Sequence, residues 1–364
     1  MKTRFGKSGQ ELPVVGYGCL QLSFPNQIKQ EDANHLIATA YQQGVSVFDT
    51  AAAYGMNRHN EKLLGEAIRQ LKVQKDDAPF IITKCGISFE GGGTYTQNPE
   101  QIRMSVHESL EALGVDTIDL LCLHRVNPDA SKEEYANTIY AMKMLVKEGK
   151  VKYIGLSEPT AEQIRAAYTV EPYDVCLSAV ELAYSLFTRR AEQNNVWDTC
   201  QELGITVIAY TSIIRGAVDQ RIQQLSEHEV LHSDNATLQR RVFDLLRISN
   251  QNDGREFVGF FDKSIIQKNV QHILAFQADA KRLNISPSQL ALAWLGQRGV
   301  ISIPGTTNEV HLIENTETLH LGVPIKELEA LTEKYPAGCF VGNPNPSILK
   351  KLDNEQLEVQ GLRR

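Results

Sequence analysis

Residues 45–68, "VSVFDTAAAYGMNRHNEKLLGEAI", carry two structural signals back to back. The opening VSVFD is a short β-branched and aromatic run that ends on an acid, as a buried strand does where it leaves the core. From Asn60 the apolar residues Leu63, Leu64, Ala67, Ile68 and Leu71 recur at helical spacing, so a helix covers 60–71. The link between them is built of small residues apart from Tyr54. A strand, a short turn and a helix make one βα unit.

The unit recurs through the chain. With VSVFDTA (45–51), the runs VVGYGCLQL (14–22), FIITKC (80–85), IDLLCLHR (118–125), KYIGLSE (152–158), VCLSAVEL (175–182), ITVIAYTS (205–212) and VISIPGT (300–306) number eight. Helical patterns such as 99–114 and 132–149 separate them. Gly44, Gly114, Gly149 and Gly204 each stand where a left-handed cap closes a helix before the next strand. Such alternation implies parallel strands joined by right-handed crossovers, and eight units close a (β/α)8 barrel, the TIM barrel. An open doubly wound sheet shares the alternation. Against it, no strand is followed by GxGxxG opening a helix, and the GGG at 91–93 falls in a loop.

Two segments break the rhythm. Residues 1–13 read as an N-terminal β-hairpin turned at Lys7-Ser8-Gly9, and residues 213–268 form a long insertion after the seventh strand, with no strand of its own. Insertions there are usually active-site or lid loops. The expected organisation is one barrel domain over 1–340 with a tail over 341–364, either a flap on the barrel mouth or a partly disordered end.

Composition narrows the function classes. At 42% hydrophobic and 22% charged, the 364 residues have globular composition and material for a large core. The net charge is −7 and basic pairs are short (Lys350-Lys351, Arg363-Arg364), which argues against a nucleic-acid or anionic-membrane surface. The N-terminus lacks an apolar signal core, and no stretch approaches the roughly 18 apolar residues of a membrane span. Cys19, Cys85, Cys122, Cys176, Cys200 and Cys339 form no CxxC pair, which reads as reduced thiols in a cytoplasmic protein, without a disulfide framework or zinc site.

Strand alternation locates a candidate site. If Asp49 points into the barrel, so do Val47 and Val45; the same count puts Lys84 inward with Ile82 and Phe80, His124 with Cys122 and Leu120, and Ser157 with Gly155 and Tyr153. Four strands thus end on one inward polar residue at the C-terminal edge, the catalytic face of such barrels. Taken singly, Asp49 reads as a turn or cap residue, Lys84 as a surface lysine and His124 as a structural histidine. Recurrence on neighbouring strands weakens those readings. Strands about 4.8 Å apart let Asp49 pair with Lys84, which makes a buried ammonium tolerable. A lysine beside Tyr54 favours the phenolate and is expected to lower the phenol's pKa. Asp49, Tyr54, Lys84 and His124 then make a proton-donating site facing a carbonyl, with no acid or histidine cluster at metal-ligand spacing.

The segments VFDTAAAYGMNRHNEKLLGEAI (47–68), IITK (81–84), LLCLHR (120–125), KEGKVKYIGLSE (147–158), ITVIAYTS (205–212) and IPGTTNEVHLIENT (303–316) resemble the aldo-keto reductase superfamily. Agreement runs from about residue 4 to residue 335. The segments HRVNP, GLSE and YSLFTR look most like the bacterial and fungal branch that includes pyridoxal reductases and related aldehyde reductases. The resemblance implies a barrel that binds extended NADP(H) or NAD(H), with Tyr54 as proton donor, Lys84 and Asp49 tuning it, and His124 orienting the substrate. It implies that Ser157, with Glu158 and Glu181, meets the nicotinamide carboxamide and that Tyr210 stacks on the ring. Thr211, Arg215 and Gly216 would follow the pyrophosphate. Gly305, Thr306, Thr307, His311, Glu314 and Asn315 would hold the adenosine end.

The chain departs from that pattern in four places. Glu158 stands where many members have Asn, and Glu181 where they have Gln. The loop TSIIRG (211–216) replaces SPLGRG, and Thr307-Asn308 replaces the Lys and Arg that grip a 2′-phosphate. Losing two charge-assisted hydrogen bonds weakens NADPH preference by about 2–4 kcal/mol, which leaves the choice relaxed or leaning to NADH. Arg240, Arg241 or Lys263 from the insertion is the rival grip on that phosphate. The expected activity is NAD(P)H-dependent reduction of a small aldehyde, sugar or pyridoxal-like carbonyl. The alternatives are a cofactor-sensing binding protein and a Schiff-base lyase with Lys84 as nucleophile. Substrate choice would fall to the mouth loops, with Phe89, Tyr95 and Phe340 as candidate pocket aromatics.

Overall fold

The apolar runs become strands in register. The computed structural model describes residues 1–74, 77–88, 93–248 and 259–342. An antiparallel hairpin comes first, β1 (Lys2–Arg4) against β2 (Glu11–Pro13), with Lys2 opposite Pro13. The barrel begins with β3 (Tyr17–Gly18), β4 (Val47–Asp49) and β5 (Phe80–Cys85). A two-residue pair, β6 (Ile87–Ser88) and β7 (Thr94–Tyr95), flanks the loop after β5. The barrel continues with β8 (Ile118–Leu123), β9 (Val151–Ser157), β10 (Leu177–Ala183), β11 (Thr206–Tyr210) and β12 (Ile301–Ser302). Neighbours pair in the order β3-β4-β5-β8-β9-β10-β11-β12, every pair parallel. A parallel bridge from Val15 to Ser302 joins the first strand to the last and closes the ring.

Six helices follow the first six barrel strands in turn: α1 (Gln30–Gln42), α2 (His59–Leu71), α3 (Pro99–Leu113), α4 (Lys132–Lys147), α5 (Ala161–Tyr168) and α6 (Val196–Leu203). Their starts are chemically marked. Asn98, Ser131 and Thr160 each cap the third backbone N–H of a helix while Gln101, Glu134 and Gln163 cap back. Gly114 and Gly204 close α3 and α6 in the left-handed conformation. Beyond β11 come α7 (Glu227–His232), α8 (Asn235–Leu246) and α9 (Ile266–Arg282), then α10 (Pro287–Gln297), α11 (Glu309–Glu317) and α12 (Ile325–Lys334). The described part of the insertion carries helices and no strand; residues 249–258 lie outside the described residues.

Apolar side chains form two layers. The larger lies between strands and helices; the smaller fills the barrel with Val47, Phe80, Ile82, Leu120, Cys122, Ala179, Ile208 and Ile301. Phe5 from the hairpin plugs the N-terminal end, its ring 5.0 Å from Phe80 and 5.2 Å from Tyr153. The alternation therefore holds on β4, β5, β8 and β9 with one exception. Val45 packs in the outer layer, because β4 starts only at Val47 and the two-residue period does not extend ahead of it. Phe340 is not a pocket aromatic: it sits buried against Phe187 and Phe260 in the outer core. Asn269 of α9 holds Val341 through both its backbone N–H and its carbonyl. Residues 343–364 of the tail, and Phe89, lie outside the described residues.

Candidate active site

Lys84 is the hub of the C-terminal mouth. It leaves β5 pointing into the barrel, 1% exposed, and its three ammonium hydrogens have three acceptors. Nζ donates to Asp49 Oδ1 at 2.5 Å, to the Thr50 carbonyl at 2.9 Å and to the Tyr54 phenol oxygen at 3.3 Å. Glu181 Oε2, on β10, stands 3.4 Å away. The short loop after β4 is pinned so that Tyr54 can arrive there. Thr50 Oγ1 donates to Asn60 Oδ1, and Asn60 donates in turn to the Cys19 carbonyl and to Ser23. Gly55, with φ of +82°, turns the chain away directly after Tyr54, a conformation that an L side chain resists. His124 lies just past the end of β8, its ring edge-on to Tyr54 with centroids 5.6 Å apart.

Burial sets the protonation states. Burial alone would pull the Lys84 ammonium down, but Asp49, Glu181 and Tyr54 together hold it well above its ordinary value. Such a lysine stays charged, which weighs against a Schiff-base nucleophile, since that role needs a neutral amine. Burial and then Lys84 and Arg125 keep His124 well below its usual value, so it is a neutral imidazole. The phenol departs from expectation. Lys84 does pull the Tyr54 pKa down, but burial exceeds that pull and the net direction is upward. Tyr54 therefore holds its proton at neutral pH, which suits a donor, and the lysine acts on the phenolate only as it forms.

The cofactor candidates divide into two groups. Ser157 and Tyr210 end β9 and β11, and an arginine that the strand pattern does not single out links them. Arg125, directly after His124, is buried; its Nη1 donates to Ser157 Oγ at 2.9 Å and to the His124 carbonyl at 2.7 Å, and Nη2 lies 3.4 Å from the Tyr210 hydroxyl. Arg215 is near enough to Tyr210, Tyr54 and Arg125 for their charges to act on it. Glu158 is tied to the sheet, its Oε1 accepting from the Ala183 N–H at 2.5 Å. Glu181 faces the Lys84 ammonium itself. The second group belongs to the β12–α11 connection. Gly305 touches the first barrel strand so closely that a Cβ there would meet the Gly18 carbonyl oxygen at 2.5 Å, and Tyr17 donates to the Thr306 carbonyl. Asn315 is buried and Glu314 half-buried, whereas Thr307 and His311 are exposed. In place of a basic pair, the turn offers Asn308 as the α11 cap and Glu309, whose Oε1 lies 2.8 Å from His35 Nε2. Arg241, one of the rival grips, lies 3.5 Å from Glu229.

These residues fit a dinucleotide. Thr211 Oγ1 and Ser212 Oγ are buried with no hydrogen-bond partner among the described residues, an arrangement proteins avoid unless a ligand or water completes it. The side chains at the mouth thus include both acceptors and donors, as a carboxamide and a pyrophosphate require. No group of three or more His, Cys, Asp or Glu placed to hold a metal occurs among the described residues. None of the described helices is long and apolar enough to cross a membrane.

Comparison with known proteins points the same way. Residues 14–336 match the model of the aldo/keto reductase family. A Glycine max protein named "Probable aldo-keto reductase 1" is 31% identical over 353 residues, covering 93% of this chain and 90% of that protein. An aldo-keto reductase of Gibberella moniliformis is 33% identical over 321 residues, covering 88% and 89%. Among solved structures, a thermostable aldo-keto reductase bound to the inhibitor epalrestat superposes with a TM-score of 0.65 at 22% identity, covering 92% of this chain and 99% of that one. An aldo/keto reductase of Klebsiella pneumoniae, crystallised with NADP and acetate, gives a TM-score of 0.64 at 22% identity, covering 92% and 95%.

Proposed function

Since the chain belongs to the aldo/keto reductase family, a family of nicotinamide-dependent oxidoreductases, we propose that it reduces the carbonyl of a small aldehyde, sugar or pyridoxal-like compound to an alcohol, with Tyr54 as the proton donor. The observation that carries this reading is the buried Asp49–Lys84–Tyr54 chain, 2.5 Å and 3.3 Å between successive polar atoms, ending on a phenol that keeps its proton. A bound nicotinamide dinucleotide supplies the hydride that the carbonyl carbon accepts. Ser157, Glu158, Tyr210, Thr211, Arg215 and Gly216, with the turn from Gly305 to Asn315, are the residues that would hold it.

The rest is done by the chain. The phenol hydrogen of Tyr54 passes to the carbonyl oxygen as negative charge develops there. The Lys84 ammonium already donates to the phenol oxygen and stabilises the phenolate that is left. Asp49 fixes Lys84 in place and keeps it charged. Neutral His124 can donate one hydrogen bond to the same carbonyl oxygen and so orient it, without competing as an acid. A cytoplasmic setting is in keeping with six free cysteines, four of them buried.

The test is a cofactor-oxidation assay of purified protein against aldehydes, ketones, sugars and pyridoxal, with NADH and NADPH in parallel. Tyr54→Phe should lower kcat by ~10²–10⁴ while cofactor binding, followed by fluorescence, persists. A Tyr54→Phe enzyme within tenfold of wild type would overturn the assignment.

A further inference from the structure

The catalytic lysine is flanked by two carboxylates. Asp49, at the end of β4, takes one side of Nζ at 2.5 Å, and Glu181, reaching in from β10, takes the other at 3.4 Å. Glu181 is 2% exposed, and the one donor near its Oε2 is the Lys84 ammonium at 3.4 Å, whose hydrogens already have three nearer acceptors. A buried carboxylate held only by a shared, longer contact is costly if ionised, and much less so if it carries a proton. The strands paired with β10 bring no charge to it, since Ser157 and Ile208 are its register partners. Charge comes from across the mouth. Asp49 repels it, Lys84 and Arg125 attract it, and it acts in turn on Tyr54 and on the Cys122 thiol. Burial and then Asp49 prevail, and the carboxyl is pushed up to about 7.

We propose that Glu181 is a positioning residue whose proton governs how strongly Lys84 acts on Tyr54, so that carbonyl reduction is fast with Glu181 protonated and slows when it ionises. The inference rests on Tyr54 being the proton donor. With Glu181 protonated, one ammonium faces one carboxylate and the field of Lys84 falls on the phenol oxygen. With Glu181 ionised, the cluster carries a net negative charge, and the phenolate must form beside two carboxylates. Tyr54 is then a weaker acid, and protonation of the carbonyl oxygen is retarded. No group other than Tyr54 gives up a proton to the substrate; Glu181 exchanges its own with solvent.

The experiment is the pH profile of kcat/KM for aldehyde reduction between pH 5.5 and 8.5, for wild type and Glu181→Gln. Wild type should lose activity by about tenfold through an ionisation near neutrality, the loss expected if Tyr54 weakens by about one pKa unit. Glu181→Gln should lose the decline, its kcat/KM flat across the range whatever its absolute value. The side-chain carboxyl resonance of Glu181, followed by ¹³C NMR in wild type, should titrate with the same midpoint. Should Glu181→Gln fail to fold, Glu181→Met carries the same expectation. An unmoved pH limb in the variant, a change confined to KM, or a Glu181 resonance titrating like an ordinary carboxyl would each overturn the role. Wild type that turns over no carbonyl would overturn the reductase reading beneath it, a distinct result from turnover with an unmoved limb.

Discussion

Two carboxylates on one buried ammonium make a specific claim about energy, namely that each can cover for the other. At an effective dielectric of about 20, unit charges 2.5 Å and 3.4 Å apart attract by roughly 7 and roughly 5 kcal/mol before desolvation is subtracted. Asp49→Asn removes the stronger attraction and keeps the shape. It also removes the charge that repels Glu181, so Glu181 ionises and takes over as counter-ion. The expected net loss of stability is about 1–2 kcal/mol. Glu181→Gln alone leaves the closer partner in place and should cost about 0–1 kcal/mol. In the double variant Lys84 has no counter-ion, and the loss should reach the ~3–5 kcal/mol typical of an orphaned buried charge. The coupling is therefore about 2 kcal/mol, well outside the few tenths expected of independent sites. Urea unfolding of the four proteins at pH 5.5, where Glu181 of the wild type holds its proton, measures it when followed by circular dichroism. Additivity within about 0.5 kcal/mol would refute the shared-partner reasoning and leave Asp49 as the only carboxylate that matters to Lys84.

Glu181 also gives a sign for stability against pH. Its pKa rises on folding from 4.5 to about 7, so its favourable contribution is complete below pH 4.5 and is lost as pH climbs to 7. Glu181→Gln, which has no such proton, should gain on wild type by up to roughly 3 kcal/mol across that window; an equal gap at pH 5 and pH 8 contradicts it. Thr307→Lys with Asn308→Arg should raise the NADPH-to-NADH ratio of kcat/KM at least tenfold, since each new cation can grip a 2′-phosphate, while loss of the Asn308 cap costs about 1 kcal/mol in a thermal or urea melt. Gly305→Ala places a Cβ 2.5 Å from the Gly18 carbonyl oxygen and 2.0 Å from Gln21 Oε1. The Gln21 side chain can swing away but the strand cannot, so cofactor affinity measured by titration should fall about tenfold or more.

The sequence was most legible where one period governs many residues. Val47, Ile82, Leu120 and Tyr153 point into the barrel because the strands carrying them are regular, and the same regularity brought Asp49 and Lys84 together. It failed where regularity ends. Leu177 packs in the outer layer and Ala179 in the inner, although two residues apart on β10, because the register against β9 shifts between them. The face of Glu181 could not be counted from the start of that strand, and its place beside Lys84 needed the structure. Arg125 lies past the end of β8, where alternation no longer says which way a side chain points; a charged residue directly after a strand-end histidine was the only signal. The direction of the Tyr54 shift was illegible for another reason, since a motif names the lysine that pulls the phenol down but not the burial that outweighs it.

The mouth also concentrates unfavourable backbone. Glu158 follows Ser157 with φ of +51°, and Thr211, Ile214 and Arg215 follow Tyr210 with φ of +55°, +51° and +52°. None is glycine and two are β-branched, for which this region is a genuine outlier, at a cost of order 1 kcal/mol or more each. The turn after Tyr210 also holds two of the buried hydroxyl oxygens that lack a partner among the described residues, on Thr211 and its neighbour Ser212. Sequence variation alone would readily relieve such strain, as a glycine at any of these positions removes it. Retaining side chains there makes sense if the turn must present the Ser157 and Tyr210 ends of β9 and β11 at a fixed angle, with polar atoms already stripped of water. A ligand that supplies the missing partners then recovers at binding what the strained turn gives up in folding, which places the energetic demand of the strained turns and of the doubly flanked lysine at one end of one barrel.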